Sequence, residues 1–228
     1  MLQLPQIYAE NIRRWLPELL HFALTTLLIA ALSFVVAVFI GLVLALMRTS
    51  RSPVSGGVAA GYIEVCRGLP IVVLLYIVYF APPQLLPDIG WKWFTTLAGA
   101  VLGLGIHGGA ILAEVFRSGI EALHKGQREA ALSLGMTPAK ATAYIILPQA
   151  ARIVLPPVGN YAIGLLKDTS LCSLIGANEL MNDAKSIAFA DYQPMAVFVL
   201  VAGIYFAMSY PLSLCVRYME ARMRHGRS

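Results

Sequence analysis

An apolar stretch near the N-terminus constrains the fold of this chain more than any other feature. It runs from Leu19 to Met47 without a single Asp, Glu, Lys or Arg. A helix needs about 20 apolar residues to cross the core of a bilayer, whereas the apolar core of a signal peptide has only about 7–15. The stretch therefore predicts a membrane-spanning helix that stays in the protein.

The composition of the whole chain agrees with a membrane protein. Of its 228 residues, 58% are hydrophobic and 13% are charged, whereas soluble domains average about 45–50% apolar and about 25% charged. The net charge of +5 does not indicate a nucleic-acid partner, because no basic run with interleaved aromatic residues exists. The three cysteines form no C-x-x-C pair, so we interpret them as packing residues rather than metal ligands.

Five apolar segments predict an all-α membrane protein with about five transmembrane helices. The predicted spans cover residues 19–47, 54–80, 94–116, 153–175 and 195–216. The fourth is the weakest, because Lys167 and Asp168 interrupt it; Pro156 and Pro157 suit its helical start.

The segments between and beyond these spans have distinct compositions. We expect residues 1–18 to lie outside, residues 19–217 to form the membrane domain and residues 218–228 to be a basic cytoplasmic tail. The connector 117–152 is predicted to be cytoplasmic, and the polar connector 176–193 is predicted to be external.

The distribution of basic residues predicts the orientation. With the N-terminus outside, twelve of the 17 Lys and Arg residues fall on the cytoplasmic side and five fall outside. Cytoplasmic loops are enriched in Lys and Arg, so this orientation, with a cytoplasmic C-terminus, is favoured. It depends on the fourth span, since without that span the four arginines near the C-terminus would lie outside.

The cytoplasmic connector carries a helix–turn–helix pattern between residues 125 and 148. Good helix formers extend from Gln127 to Leu134, and Gly135 suits a left-handed stop. Thr137 then suits an N-cap, with Pro138 at the first position of the next helix. A short helix between two membrane helices suits the transmission of a movement from a partner protein. A helix that lies on the membrane surface would show the same pattern.

The same connector resembles the EAA loop of the permease subunits of ABC importers. The matching positions are Glu129, Ala130, Ala131, Gly135, Ile145, Leu147 and Pro148. Four further stretches resemble the permeases of polar amino-acid importers of the histidine, glutamine and arginine type: residues 64–70, 113–120, 147–150 and 166–171. The family often has Thr where this chain has Leu69.

This resemblance implies a fold, a function and a set of partners. It implies the type-1 ABC importer permease fold in the bacterial inner membrane, with the N-terminus in the periplasm and the C-terminus in the cytoplasm. The implied partners are ABC ATPase subunits, a second permease subunit that is identical or homologous, a periplasmic binding protein and the lipid bilayer. Glu129, Ala130, Ala131 and Gly135 would contact the ATPase, and Leu147 and Pro148 would mark the return to the membrane.

The chain has no phosphate-binding loop of the G-x-x-x-x-G-K-[ST] type. The segment 164–170 is only superficially similar, because it has no glycine directly before Lys167. We therefore expect no enzymatic activity and no bound cofactor on this chain, with ATP and magnesium on the ATPase subunit.

Polar residues in the fourth span are candidates for the substrate pathway. Ionisable residues in a span usually face a cavity or a partner, and a broken helix near the midplane exposes backbone groups that bind a zwitterion. The candidates, ordered along the chain, are Asn160, Tyr161, Lys167, Asp168, Thr169 and Ser170. Asp168 suits an ammonium group; alternatively, Lys167 and Asp168 pair with each other or cap the helix at the outer surface.

Two pairs of opposite charges stand three residues apart, at a spacing that favours contact on a helix. Glu64 and Arg67 form one pair, and Glu114 and Arg117 form the other. We interpret both as structural ion pairs, with a cytoplasmic gate as the alternative. His107 stands among glycines that permit close helix contacts, and it is interpreted as a packing residue.

Two other functions stay open at this stage. One is an ABC importer permease for another small solute, such as an opine, an amine or an amino-acid derivative. The other is a secondary transporter, which would have no use for the EAA pattern. A membrane-embedded enzyme is disfavoured, because the carboxylates and His107 form no convergent set in the sequence.

Overall fold

The computed structural model describes residues 4–50, 52–122 and 125–224, and this part of the chain folds almost entirely into helices. Nine α-helices lie within it: α1 (Leu4–Thr49), α2 (Pro53–Gly68), α3 (Ile71–Leu85), α4 (Thr96–Glu121), α5 (Lys125–Ser133), α6 (Pro138–Ala141), α7 (Leu147–Asp168), α8 (Leu180–Ala190) and α9 (Pro194–Arg224). A π-helical segment, Thr142–Ile146, precedes α7. Three short 3-10 segments complete the structure: Pro87–Ile89, Trp91–Trp93 and Thr169–Ile175.

Three of the described helices are long and apolar enough to cross a membrane. They are Gln6–Thr49, Thr96–Glu121 and Pro194–Met223. Helices α2 and α3 satisfy the same criterion only as a pair and raise the number to four. The prediction of membrane-spanning helices is thus confirmed for these segments. The fourth predicted span corresponds to α7, which is not among them, so five spans remain a prediction.

The predicted span 54–80 is not a single helix. Helix α2 ends at Gly68, α3 begins at Ile71, and the two axes are bent by 109°. Pro70 explains the break, because a proline disfavours helical backbone in the residue before it. Leu69 accordingly has an extended conformation, with φ −94° and ψ 140°.

Helix α4 is the most enclosed of the candidate spans, and its glycines bring the neighbouring helices close. Toward α3, Gly99 faces Tyr79 and Gly103 faces Leu75. Toward α1, Gly105 faces Val36 and Gly109 faces Ile40. Toward α7, Gly108 faces Tyr161 and Gly119 faces Val154. All six glycines are buried. Small residues at helix interfaces allow backbones to approach within membranes, so the expected role of the glycines around His107 is confirmed.

The contacts of α4 fix the directions of its neighbours. Along α1, the pairs Val36–Gly105 and Ile40–Gly109 advance together, so α1 and α4 are parallel. Along α7, the contact moves from Val154 at Gly119 to Tyr161 at Gly108, so α7 runs antiparallel to α4.

The start of α7 differs from the prediction. The helix begins at Leu147, with Pro148 in its first turn, and Pro156 and Pro157 lie inside it. Prolines are tolerated in membrane helices, where neighbouring helices satisfy the freed backbone groups. Pro148 therefore has the role that the sequence assigned to the later prolines. The helix changes to 3-10 geometry at Thr169, close to the predicted interruption.

The polar connector 176–193 is largely a packed helix rather than an open loop. Helix α8 buries Leu180, Ala184, Ile187 and Ala188 in a core that it shares with α1 and α9. Its apolar residues recur every three or four positions, which forms a buried stripe. Asn182, Lys185 and Ser186 lie on the less buried side of the helix, and this pattern went unrecognised in the sequence.

An anchor between α1 and the α8–α9 turn lies at one end of this core. Trp15 is fully buried, and its indole N–H donates a hydrogen bond of 2.6 Å to Asp191. Arg14 forms an ion pair with the same carboxylate. This anchor fixes the first part of α1 beside the turn between α8 and α9.

Candidate functional site

The EAA-like segment has the helix–turn–helix geometry that the sequence predicted. Helix α5 ends at Ser133, and Gly135 has a φ of +81°, a left-handed conformation that favours glycine. The amide of Met136 donates to the carbonyl of Ala131 at 3.1 Å, which satisfies an end carbonyl of α5. The hydroxyl of Thr137 accepts from the amide of Lys140 at 3.4 Å and so caps the next helix.

The EAA-like segment combines a side chain that is buried with neighbouring residues that are exposed. Ala131 is only 4% exposed, whereas Glu129, Ala130 and Gly135 are exposed. Leu134 is 84% exposed and Leu147 is 58% exposed. The apolar residues Ala130, Ala131 and Leu134 are thus divided, with Ala131 buried and the other two exposed.

The depth of Asp168 follows from the helix contacts. Asp168 follows Tyr161 by two helical turns, or about 10 Å along the helix axis. Tyr161 packs at Gly108, and α7 runs antiparallel to α4, so Asp168 lies near the level of Val101 on α4. The pairing of α1 with α4 then places it about level with Leu32 of α1.

This level is close to the middle of the apolar surface of α1. The exposed large apolar side chains of α1 extend from Leu20 to Leu46, and the centre of that stretch is Ser33. Asp168 therefore lies within about one helical turn of the middle of this apolar stretch. The alternative that Lys167 and Asp168 cap the helix at the outer surface stays a prediction.

The structure brings several of the predicted pathway residues together. Tyr161 and Asp168 lie on one face of α7, two turns apart, and Asp168 acts electrostatically on Tyr161, His107 and Lys167. His107 belongs to α4, so the carboxylate lies between two helices. A half-buried carboxylate among aromatic and imidazole rings suits recognition of a cationic group.

The two hydroxyl residues after Asp168 donate to their own backbone. Thr169 donates to the carbonyl of Leu166 at 2.7 Å, and Ser170 donates to the carbonyl of Lys167 at 2.8 Å. Thr169 is fully buried, whereas Ser170 is half-buried. Because its hydrogen is engaged, the half-buried oxygen of Ser170 remains as an acceptor, whereas the oxygen of Thr169 is enclosed and interacts with Tyr205.

Asn160 is directed away from this cluster, and Lys167 is exposed at its edge. The amide of Asn160 donates to Glu220 of α9 at 3.2 Å, toward the C-terminal end of that helix. Lys167 is exposed and forms no ion pair with any described residue. The geometry thus groups Tyr161, Asp168, Thr169 and Ser170 and separates Asn160 from them.

One of the two predicted ion pairs forms. Arg117 contacts Glu114 at 2.7 Å and also Glu121 at 2.7 Å. Glu64 and Arg67 are both exposed and lie beyond ion-pair distance of each other and of every other described charge. The predicted Glu64–Arg67 pair is therefore wrong, and Arg67 instead acts at longer range on Glu114. Exposure of both side chains lowers the free energy that an ion pair between them would gain.

Glu179 is a buried polar residue that the sequence analysis missed. Its side chain is fully buried and accepts from the amides of Met181 at 2.9 Å and Asn182 at 2.8 Å, which caps α8. The hydroxyls of Thr26 and Tyr205 donate to the same carboxylate at 3.4 and 3.2 Å. Burial raises the pKa of Glu179, whereas these hydrogen bonds act in the opposite direction.

A sequence signal for Glu179 exists. A carboxylate directly before an amphipathic run is a helix N-cap pattern. The carboxylate joins α1, α8 and α9, so it organises the scaffold rather than the pathway. Elsewhere, no group of three His, Cys, Asp or Glu side chains in the described part of the chain is arranged to hold a metal ion.

Comparison with known proteins supports one family over most of the chain. Residues 37–225 match the family described as the binding-protein-dependent transport system inner membrane component. The glutamine transport system permease protein of Escherichia coli (strain K12) is 37% identical over 209 residues, which cover 92% of this chain and 94% of that protein. The "Probable amino-acid permease protein YxeN" of Bacillus subtilis (strain 168) is 36% identical, with 91% and 92% covered.

Solved structures give the same result. A chain from a structure described as an amino acid ABC transporter with histidines is 35% identical and superposes with a TM-score of 0.85, over 93% of this chain and 97% of that chain. A chain of the MetNI methionine ABC transporter superposes with a TM-score of 0.64 over 91% and 95%. At 17% identity, that second similarity concerns the fold alone.

Proposed function

Because this chain belongs to the family of inner membrane components of binding-protein-dependent transport systems, we propose that it is the permease subunit of an ABC importer for polar amino acids. The similarity extends over nine-tenths of the chain to a glutamine permease and to an amino acid ABC transporter. The single observation that carries the substrate class is Asp168, a carboxylate near the midplane between α4 and α7.

The chemistry of this position suits an amino acid. The carboxylate of Asp168 would bind the α-ammonium group of the solute, because an opposite charge offsets the cost of removing an ion from water. Ser170 offers a half-buried hydroxyl oxygen as an acceptor next to it, and the buried Thr169 would line the wall behind the site. Lys167, Asn160 and Tyr161 belong to the same pathway in this proposal, with Asn160 nearer the cytoplasmic end.

Hydrolysis of ATP would take place on partner subunits. The chain has no phosphate-binding loop, so ATP and Mg²⁺ would be bound by a separate pair of ABC ATPases. Glu129, Ala130, Ala131 and Gly135 would form the contact with one ATPase, and Leu147 and Pro148 would mark the return to the membrane. The exposure of Glu129, Ala130 and Gly135 supports this assignment.

Transport would proceed by alternating access between two permease subunits, this chain and an identical or homologous copy. A periplasmic binding protein would deliver the solute at the outer face, and closure of the ATPases would move the EAA segments. The two permeases would then rock about the midplane step at Asp168. Contacts of Glu114 and Arg117, and the charges of Glu64 and Arg67, would lie at the cytoplasmic gate.

The proposed arrangement in the membrane follows the charge distribution. The chain would lie in the bacterial inner membrane with residues 1–18 on the periplasmic side and residues 218–228 in the cytoplasm. Residues 19–217 would form the transport domain, with residues 117–152 as the cytoplasmic connector. The antiparallel course of α4 and α7 supports opposite crossings by these two helices.

Uncoupling of transport from ATP hydrolysis tests the proposal. Gly135 needs a positive φ, so Gly135→Val should distort the end of α5, lower uptake of radiolabelled L-glutamine and leave ATP hydrolysis at or above the wild-type rate. Glu129→Ala should act in the same direction. Gly126→Ala is the matched control, because Gly126 has open space around it and no positive φ.

The assay uses the native complex in proteoliposomes, with its ATPase subunits and its binding protein. Identification of the chains and the solute that co-purify with the complex defines these partners. Normal coupled uptake in both the Gly135→Val and Glu129→Ala variants would refute the assignment of the ATPase contact.

A further inference from the structure

A glutamine side chain joins the EAA-like segment to the helix that carries Asp168. Gln149 is the third residue of α7 and is half-buried. Its side-chain amide donates to the carbonyl of Ile145 at 3.0 Å and to the side-chain oxygen of Gln127 on α5 at 3.4 Å. One amide group therefore contacts both α5 and the segment that precedes α7.

The backbone around this contact explains why a side-chain donor is useful there. Pro148 has no amide hydrogen, so it cannot donate to the preceding turn. Residues Thr142–Ile146 take the wider π-helical form, which occurs mostly as single turns and often at functional sites. The Gln149 amide supplies a hydrogen to the carbonyl of Ile145 within this weakened turn.

The segment just beyond Gln149 is held firmly against the membrane core. Ala150 is buried, and Gly119 of α4 lies against Val154 and the carbonyl of Ala150. Helix α7 then continues without a break to Asp168. Gln149 thus stands between the exposed helix α5 and a helix that is supported by α4.

We propose that Gln149 is a positioning residue that makes α5 and α7 move as one lever, so that displacement of α5 reaches Asp168 through a single rigid connection. The amide bridges the π-helical joint, which would otherwise bend and absorb the displacement. This inference rests on the proposed function, because it assigns a role in coupling to a residue outside the EAA pattern.

The test compares solute transported per ATP hydrolysed in the reconstituted native complex. Gln149→Glu keeps the length of the side chain but removes both amide hydrogens. Its effect should be about a fivefold loss of the transport-to-hydrolysis ratio, which corresponds to the roughly 1 kcal/mol of a net hydrogen bond. Adding Gln127→Lys should restore the ratio, because an ammonium group facing the new carboxylate re-forms the bridge. A role in local folding alone would not produce this rescue.

A cross-linking experiment examines rigidity directly. Cysteines replace Gln127 and Gln149 in a Cys215→Ser background, since Cys215 is the exposed native thiol of the described residues, and a short bismaleimide joins them. The cross-linked complex should transport about fivefold more solute per ATP hydrolysed than the same variant treated with a monofunctional maleimide, because the control lacks the Gln149 bridge and the cross-link replaces it. Loss of transport on cross-linking would mean that α5 and α7 move relative to each other and would overturn the lever.

The outcomes separate this inference from the proposed function. If Gly135→Val uncouples the complex while Gln149→Glu leaves the transport-to-hydrolysis ratio unchanged, the lever is wrong and the permease assignment stands. If neither variant changes the ratio, the assignment of the ATPase contact to the EAA-like segment is wrong. The proposed role of Gln149 is then wrong as well.

Discussion

The hydroxyl of Tyr161 on α7 lies so close to Gly108 on α4 that a β-carbon added at residue 108 would overlap it. The same β-carbon would also lie 2.8 Å from the β-carbon of Ala37 on α1. The contact therefore holds three helices together near the level of His107. The same contact aligns α7 with α4, and this alignment gives the position of Asp168 along α4.

We expect Gly108→Ala to destabilise the protein. Overpacking typically costs about 1–3 kcal/mol, and the melting temperature of the purified chain in detergent measures it. Gly164→Ala is the matched control, because Gly164 is also helical and has no atom within 4 Å of an added β-carbon. Tyr161→Phe should partly rescue Gly108→Ala by removing the overlapping oxygen. Equal melting temperatures for the Gly108 and Gly164 variants would contradict the contact.

The cluster around Asp168 gives a prediction about the solute. Asp168→Asn keeps the shape of the side chain but removes the charge that would bind the α-ammonium group. Uptake of radiolabelled L-glutamine should fall at least about tenfold, since hydrogen bonds that involve charged groups contribute about 1.5–3 kcal/mol. Yield and size-exclusion behaviour of the complex should stay normal. Unchanged uptake together with unchanged competition by other amino acids would remove Asp168 from the pathway.

Glu179 is expected to contribute to stability rather than to transport. Glu179→Ala would leave the amides of Met181 and Asn182 and the hydroxyl of Tyr205 without their acceptor, at a cost of about 1–3 kcal/mol. Thermal unfolding in detergent should reveal the loss, with the exposed neighbour Asn178→Ala as the control. A variant as stable as the wild type would show that water replaces these bonds without penalty.

Asp183 predicts a dependence of stability on pH. Burial and the negative charge of Glu18 raise the pKa of Asp183 to about 6, against the opposing effect of His21. The folded protein therefore binds this proton more tightly than the unfolded chain, whose pKa is 3.8. The stabilisation of the folded state by this proton is fully present below the unfolded-state pKa, and it is lost as the pH rises through about 6.

Asp183→Asn removes the ionisation and serves as the test. At pH 7.5 this variant should melt at a higher temperature than the wild type, because the wild type must keep a charged, partly buried carboxylate. The difference should shrink toward pH 5, where Asp183 is protonated. The same difference at both pH values would assign the effect to packing rather than to the proton.

The orientation is tested by labelling single cysteines in intact cells. In a Cys215→Ser background, Ser228→Cys should react with a membrane-impermeant maleimide only after the inner membrane is opened. Asn178→Cys, at an exposed position, should react from the periplasm. Labelling of Ser228→Cys from outside would reverse the expected position of the C-terminus and refute an odd number of spans.

The sequence predicted those features that depend on local patterns. Long apolar stretches indicated α1, α4 and α9, and the Gly135–Thr137–Pro138 pattern indicated the turn after α5, because caps and left-handed glycines are set within a few residues. The EAA pattern and its resemblance to ABC permeases indicated the function.

Features that depend on contacts between distant segments were not predictable. Glu64 and Arg67 have the spacing of an ion pair, yet solvent exposure and the position of Glu114 decide the outcome. Glu179 has partners that are separated by up to 153 residues. The start of α7 depends on a choice between Pro148 and the pair Pro156–Pro157, which only the packing against α4 resolves.

The six buried glycines of α4 have a consequence for how such a transporter diversifies. Each of them faces a side chain or a backbone atom of α1, α3 or α7, so no enlargement of α4 is possible without displacing a neighbour. Helix α4 is thus a fixed reference for the helices that pack against it. In the proposed pathway, a change of solute preference would fall instead on residues 167–170, which pass beside this helix.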